Sequence, residues 1–187
     1  ASELKQQYKG KIQIYTGLEA DFYPGCTDYR KLKGLDYTIG AVHFLKNPET
    51  GKYMPMDGNV QEFEETLKDG FGGNIQNLVK AYYSQIREML LKMPPNIVAH
   101  LDVIQKNNKG DRFFNENEEW YQEEILKTLD IIALTNTIVE VNTGGISRGY
   151  TTQPYPSLSI LKECKRLDIP VMLNSDTHHP ETIDFYF

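Results

Sequence analysis

Five acidic and imidazole side chains sit where a chain would place ligands: Glu19 in GLEADF, His43 in GAVHFL, His100 in IVAHLDVI, and Asp176 and His178 in SDTHHP. Each lies at or near the C-terminal end of a short apolar stretch. Glu140 and Asn142 of VEVNTGG occupy the same kind of position. A single histidine in a strand is most simply a hydrogen-bonded core residue, and a single strand-end carboxylate is unremarkable. Together they would place several costly polar groups in or near an interior. A bound cation removes that cost, and imidazole with carboxylate suits Zn, Mn or Fe. In an extended segment residues two apart share a side, so Asp176 and His178 can converge on one centre while His179 points away.

A second feature is NTGGISRG, residues 142–149. Gly144, Gly145 and Gly149 allow a loop to turn its N–H groups toward an anion, and the Arg148 guanidinium can fork onto phosphate or carboxylate oxygens. The chain has neither GxxxxGK[ST] nor GxGxxG, and its serines lack a GxSxG setting, so nucleotide binding and serine hydrolysis find no support. The segment QKNNKGDR, residues 105–112, reads as a solvated loop bordering the site, with Lys106 and Arg112 as possible anion contacts.

The elements that must position these groups alternate. Residues 11–19, 37–45, 97–104, 137–142 and 169–173 read as strands. Residues 73–92 carry apolar side chains at helical spacing and end at Pro94 and Pro95. Further helices are predicted from a cap at Asn115 or Asn117 to about Leu134, and over 156–167; residues 61–69 read as a solvated helix. Strands separated by helices mean βα units and a mostly parallel sheet, whose ligand crevice lies at the C-terminal strand ends. Pattern alone leaves open whether that sheet is doubly wound or closed.

The 187 residues fit one domain, and the net charge of −6, with no basic block, argues against a nucleic-acid or anionic-membrane partner. Cys26 and Cys164 are far apart and read as reduced thiols of a cytoplasmic protein. No apolar run approaches the ~20 residues of a membrane span. The helical start without Met and the stop after ETIDFYF suggest a segment of a longer chain.

Taken in order, GLEADFYPG, GAVHFL, AHLDVIQ, VEVNTGGISRG with QPYPS, and SDTHHPE resemble the PHP (polymerase and histidinol phosphatase) superfamily, nearest its monofunctional histidinol-phosphatases. The resemblance implies a distorted (β/α)7 barrel with up to three divalent metal ions at the C-terminal strand ends. It makes Glu19 a metal-bridging carboxylate, His43, His100, Asp176 and His178 further ligands, and Arg148 the group that orients phosphate. The family's opening HxH motif is absent from these 187 residues, so the N-terminal strands and a C-terminal helix are expected to lie outside them. The implied activity is hydrolysis of a small phosphate monoester, L-histidinol phosphate, by a metal-bridging hydroxide, with Glu19, Arg148 and His178 catalytic. The alternatives are a PHP phosphoesterase acting on another ester or nucleic-acid end, and an inactive metal-binding module.

Overall fold

A computed structural model describes residues 2–187. A short helix α1 (Ser2–Gln7) precedes β1 (Gly17–Asp21), which pairs in parallel with β2 (Tyr37–Ala41). The strand predicted over 11–19 therefore starts later. Pairing begins at Gly17 opposite Tyr37, and the chain before it turns aside, where the Thr16 N–H donates to Asp36 Oδ2 at 2.6 Å. The predicted 37–45 strand also divides. After Ala41 the chain leaves the sheet, and β3 (Phe44–Lys46) forms an antiparallel hairpin with β4 (Tyr53–Pro55). The buried Asn47 shapes the intervening turn, its Oδ1 accepting from the N–H groups of Glu49 and Thr50.

Helix α2 (Val60–Glu65) starts with a reciprocal cap: Asn59 Oδ1 accepts from the Glu62 N–H and Glu62 Oε2 accepts from the Asn59 N–H. It widens into a π turn over Thr66–Gly70. The face predicted to be solvated is only partly so, since Phe63 and Thr66 are fully buried. Helix α3 (Ile75–Lys92) runs as its periodicity requires and leads to β5 (Ile97–Val98). That strand is far shorter than the predicted 97–104. The chain turns at His100, whose φ of 21° is incompatible with a continuing strand, and forms a 3-10 helix over Val103–Asn107. Helix α4 (Glu119–Thr135) begins later than predicted because Asn115 is spent on its own turn, accepting from the Asn117 N–H. Then come β6 (Ile138–Asn142), α5 (Gly144–Ser147), α6 (Leu158–Arg166) and β7 (Val171–Asn174).

The main sheet has the order β1-β2-β5-β6-β7, every pair parallel. Each strand lies beside its predecessor in that sheet. A doubly wound sheet reverses direction partway, whereas a barrel wall does not. Five strands make up this wall among the described residues, against the seven of a full barrel.

One sheet face is covered by α3 and α4. Leu78, Tyr82, Ile86 and Met89 interlock with Tyr121, Ile125, Leu129 and Ile132 around Val98 and Val139. The other face carries a smaller cluster of Ile39, Ala41, Ile97 and Ala99, against which Ile138 and Met172 pack. Apolar contact on both faces is what buried parallel strands require. Among the described residues, Cys26 and Cys164 are free and no helix is long and apolar enough to cross a membrane.

Candidate metal centre and phosphate cleft

Because all five strands run the same way, their C-terminal ends meet at one rim. His43 lies two residues beyond β2, His100 two beyond β5 and Asp176 two beyond β7, while Glu19 projects from the middle of β1. A cleft of about 560 Å³ opens there, lined by Glu19, His43, His100, Arg148, Asp176 and His178 among others.

Three of these converge. His43 Nε2 stands 3.1 Å from His100 Nε2, and Glu19 Oε1 lies 3.3 Å from His100 Nε2 and 3.7 Å from His43 Nε2. Their ligand atoms all fall within 4.8 Å of one another. A fourth residue explains the orientation. His43 Nδ1 is hydrogen-bonded to Asp21 Oδ1, so the proton sits on Nδ1 and Nε2 offers a lone pair to the common centre. A carboxylate behind the imidazole is how proteins align a histidine toward a metal. Burial pulls the His43 imidazole down, but Asp21, Asp57 and Glu19 outweigh it and raise it above its ordinary value. Two nitrogens and a carboxylate oxygen facing one point fit a divalent cation such as Zn, Mn or Fe, and among the described residues the buried His100 Nδ1 has no hydrogen-bond partner.

Asp176 and His178 stand elsewhere on the cleft wall, outside this cluster. Asp176 adopts a left-handed backbone, φ 47°. Arg148 clasps it twice, donating from Nη2 to Oδ2 at 2.7 Å and from Nη1 to the main-chain carbonyl at 3.1 Å. His178 Nδ1 is 3.1 Å from the same carbonyl. His179, expected to point away, also lines the cleft; the segment is not extended throughout, since the backbone turns left-handed at Asp176. Strained backbone at His100 and Asp176 is the kind of cost that functional sites retain.

Gly144 and Gly145 act otherwise than expected. They open the one-turn α5, and the Gly144 N–H is taken by Asn142 Oδ1 at 2.8 Å. Their small size matters more: a Cβ on Gly144 would stand 2.6 Å from Arg148 Nη2, and one on Gly145 would stand 2.5 Å from the Tyr155 ring. Lys106 borders the cleft, as its loop was expected to, donating to the Asp57 carbonyl at 2.5 Å and lying 4.7 Å from the Tyr150 ring centroid. Arg112 is paired with Glu64.

Sequence reasoning placed Glu140 and Asn142 at a strand end but missed their role as braces, and missed Asp21 and Asp102. Glu140, only 1 % exposed, accepts from the His100 N–H at 2.8 Å, Asn142 Nδ2 at 3.1 Å and Asn174 Nδ2 at 2.5 Å, tying the ends of β5, β6 and β7 together. Asp21 could have been suspected, since it follows Glu19 by two residues on one strand face. Asp102 is fully buried, and its Oδ2 accepts from the Ser157 N–H at 2.8 Å. Burial pushes its carboxyl up to about 7 from 3.8. An acid whose folded pKa is raised holds its proton longer when folded, so it makes stability fall as pH rises from about 4 through 7. Urea unfolding of metal-free protein should therefore lose roughly 1 kcal/mol per pH unit across that window from this group, a slope absent in Asp102→Asn. Equal slopes in the two proteins would show that Asp102 ionises normally.

With this geometry in hand, the relatives are informative. The sequence matches the PHP domain family over residues 2–144, more than half of the chain. The chain belongs to the PHP family. The protein of Deinococcus radiodurans named "Probable histidinol-phosphatase" is 28% identical to it over 98% of the chain, and the histidinol-phosphatase of Bacillus subtilis is 26% identical over 100%. The PHP chain described here spans 65% of the first relative's length and 71% of the second's. The Listeria monocytogenes protein hisK superimposes with a TM-score of 0.82 at 20% identity, covering 99% of this chain and 71% of its own. The Lactococcus lactis histidinol phosphate phosphatase, solved with Zn, L-histidinol and phosphate, gives 0.61 at 20% identity, covering 95% of this chain and 64% of its own. These likenesses establish the fold, the distorted barrel of PHP histidinol phosphatases, whose wall has five strands among the described residues of this PHP domain.

Proposed function

We propose that residues 1–187 form one metallophosphoesterase domain of an enzyme hydrolysing L-histidinol phosphate to L-histidinol and phosphate. The observation that carries this reading is the Glu19–His43–His100 donor set in the same cleft as a forked arginine. The names of the sequence relatives support the substrate, as does the Lactococcus neighbour's bound L-histidinol and phosphate.

In this reading Glu19, His43 and His100 hold a divalent ion, and Asp176 and His178 offer donors for up to two more. Such ions, when bound, supply Lewis-acid charge neutralisation and lower the pKa of water. The protein's own groups do the rest. Asp21 and Glu140 fix His43 and His100 in place. Arg148 forks onto the phosphoryl oxygens, where charge develops during in-line transfer. Where it holds no ion, a protonated His178, its Nδ1 held by the Asp176 carbonyl, passes the Nε2 proton to the departing alkoxide.

The test is phosphate release by the full-length protein from L-histidinol phosphate and from a panel of unrelated monoesters, with metal analysis alongside. Selective release from L-histidinol phosphate is the expected result. Release only from other esters would overturn the substrate but not the chemistry. Bound metal without release from any ester would leave a metal-binding module.

A further inference from the structure

Three carboxylates line the cleft: Glu19, Asp57 and Asp176. Glu19 belongs to the donor cluster and Asp176 is clasped by Arg148. Asp57 is uncommitted. Its side chain is 29 % exposed, and among the described residues no hydrogen bond reaches its carboxylate; the nearest charged partner, His43 Nε2, is 3.9 Å from Oδ2. It lies outside the group of ligand atoms that share one centre. The adjacent cation does not neutralise it by direct contact either. Lys106 Nζ bonds the main-chain carbonyl of Asp57 and covers the Tyr150 ring, which removes that aromatic face as a seat for a substrate cation.

We infer that Asp57 is a specificity-determining residue: it receives a protonated amine carried close to the ester oxygen of the substrate. This rests on the phosphomonoesterase reading and sharpens it to amino-alkyl phosphates. The hairpin of β3 and β4 delivers Asp57 to the cleft wall, with Oδ2 3.9 Å from His43 Nε2, so the carboxylate is within reach of a group carried next to a phosphate bound at the donor cluster. A half-buried carboxylate facing an ammonium forms a charge-assisted hydrogen bond, and losing it costs about 10- to 100-fold in binding.

The experiment compares kcat/KM for O-phosphoethanolamine and ethyl phosphate in the full-length, metal-loaded protein and its Asp57→Asn variant. Calorimetry of L-histidinol and of its analogue lacking the amine runs in parallel. The native protein should favour the amine in both assays by about 10- to 100-fold, the variant should lose that preference, and its metal content should be unchanged. Asp57→Glu, which keeps the charge, should restore part of the preference. Equal treatment of the two esters by the native protein would overturn the inference. So would loss of metal in Asp57→Asn with both esters falling together, because the carboxylate would then be a metal ligand. If neither ester is hydrolysed, the calorimetric comparison decides the role of Asp57, while the phosphatase reading stands or falls separately on phosphate release from L-histidinol phosphate.

Discussion

Glu19→Gln is expected to reduce phosphate release on the order of 1000-fold and to lower the bound metal. The substitution keeps the shape of the side chain and its approach to His43 and His100 at 3.7 and 3.3 Å, but removes the one negative charge of the cluster. Two imidazoles and an amide hold a divalent ion far less well than two imidazoles and a carboxylate, because the ion's charge is no longer balanced. Glu19 is one-third exposed, so the apo fold should tolerate the change, with unfolding free energy within about 0.5 kcal/mol of native. Metal content by elemental analysis and steady-state phosphate release form the readout. Native values of both in the variant would remove Glu19 from the metal centre.

Arg148→Ala should cost about 100-fold or more in kcat/KM, with inhibition by inorganic phosphate weakened alongside. The guanidinium does two things at once. It borders the cleft as the cation proposed to meet phosphoryl oxygens, and it holds Asp176 through both the carboxylate and the carbonyl. Lys in its place supplies a charge without the planar fork and should recover only part of the loss. A variant that binds phosphate normally and fails only in metal content would show that Arg148 serves Asp176 and not the substrate.

Much of the site was legible because of a simple regularity. Parallel strands bring their C-terminal ends to one rim, so polar residues that recur at those ends are neighbours before any coordinates exist. Glu19, His43, His100, Asp176 and His178 were singled out by that rule as candidates, and all five line the same cleft. The helices were legible where an apolar stripe faces the sheet, as in α3, whose predicted and observed spans nearly coincide.

What escaped was whatever depends on a partner distant in the chain. Strand length is set by the neighbour available for pairing, which is why β5 is two residues long although six of the eight residues of IVAHLDVI are apolar. Loop chemistry is set by what a backbone N–H meets first, which turned Gly144 from a candidate anion donor into a place for Arg148 to pass. The tautomer of His43 comes from Asp21, and the placement of His100 from Glu140, forty residues away. Residue types and order thus determined the kind of chemistry and the rim where it gathers. Only the tertiary structure decided which side chains meet, because hydrogen-bond and ligand geometry act over a few ångströms and sequence spacing carries no such distances.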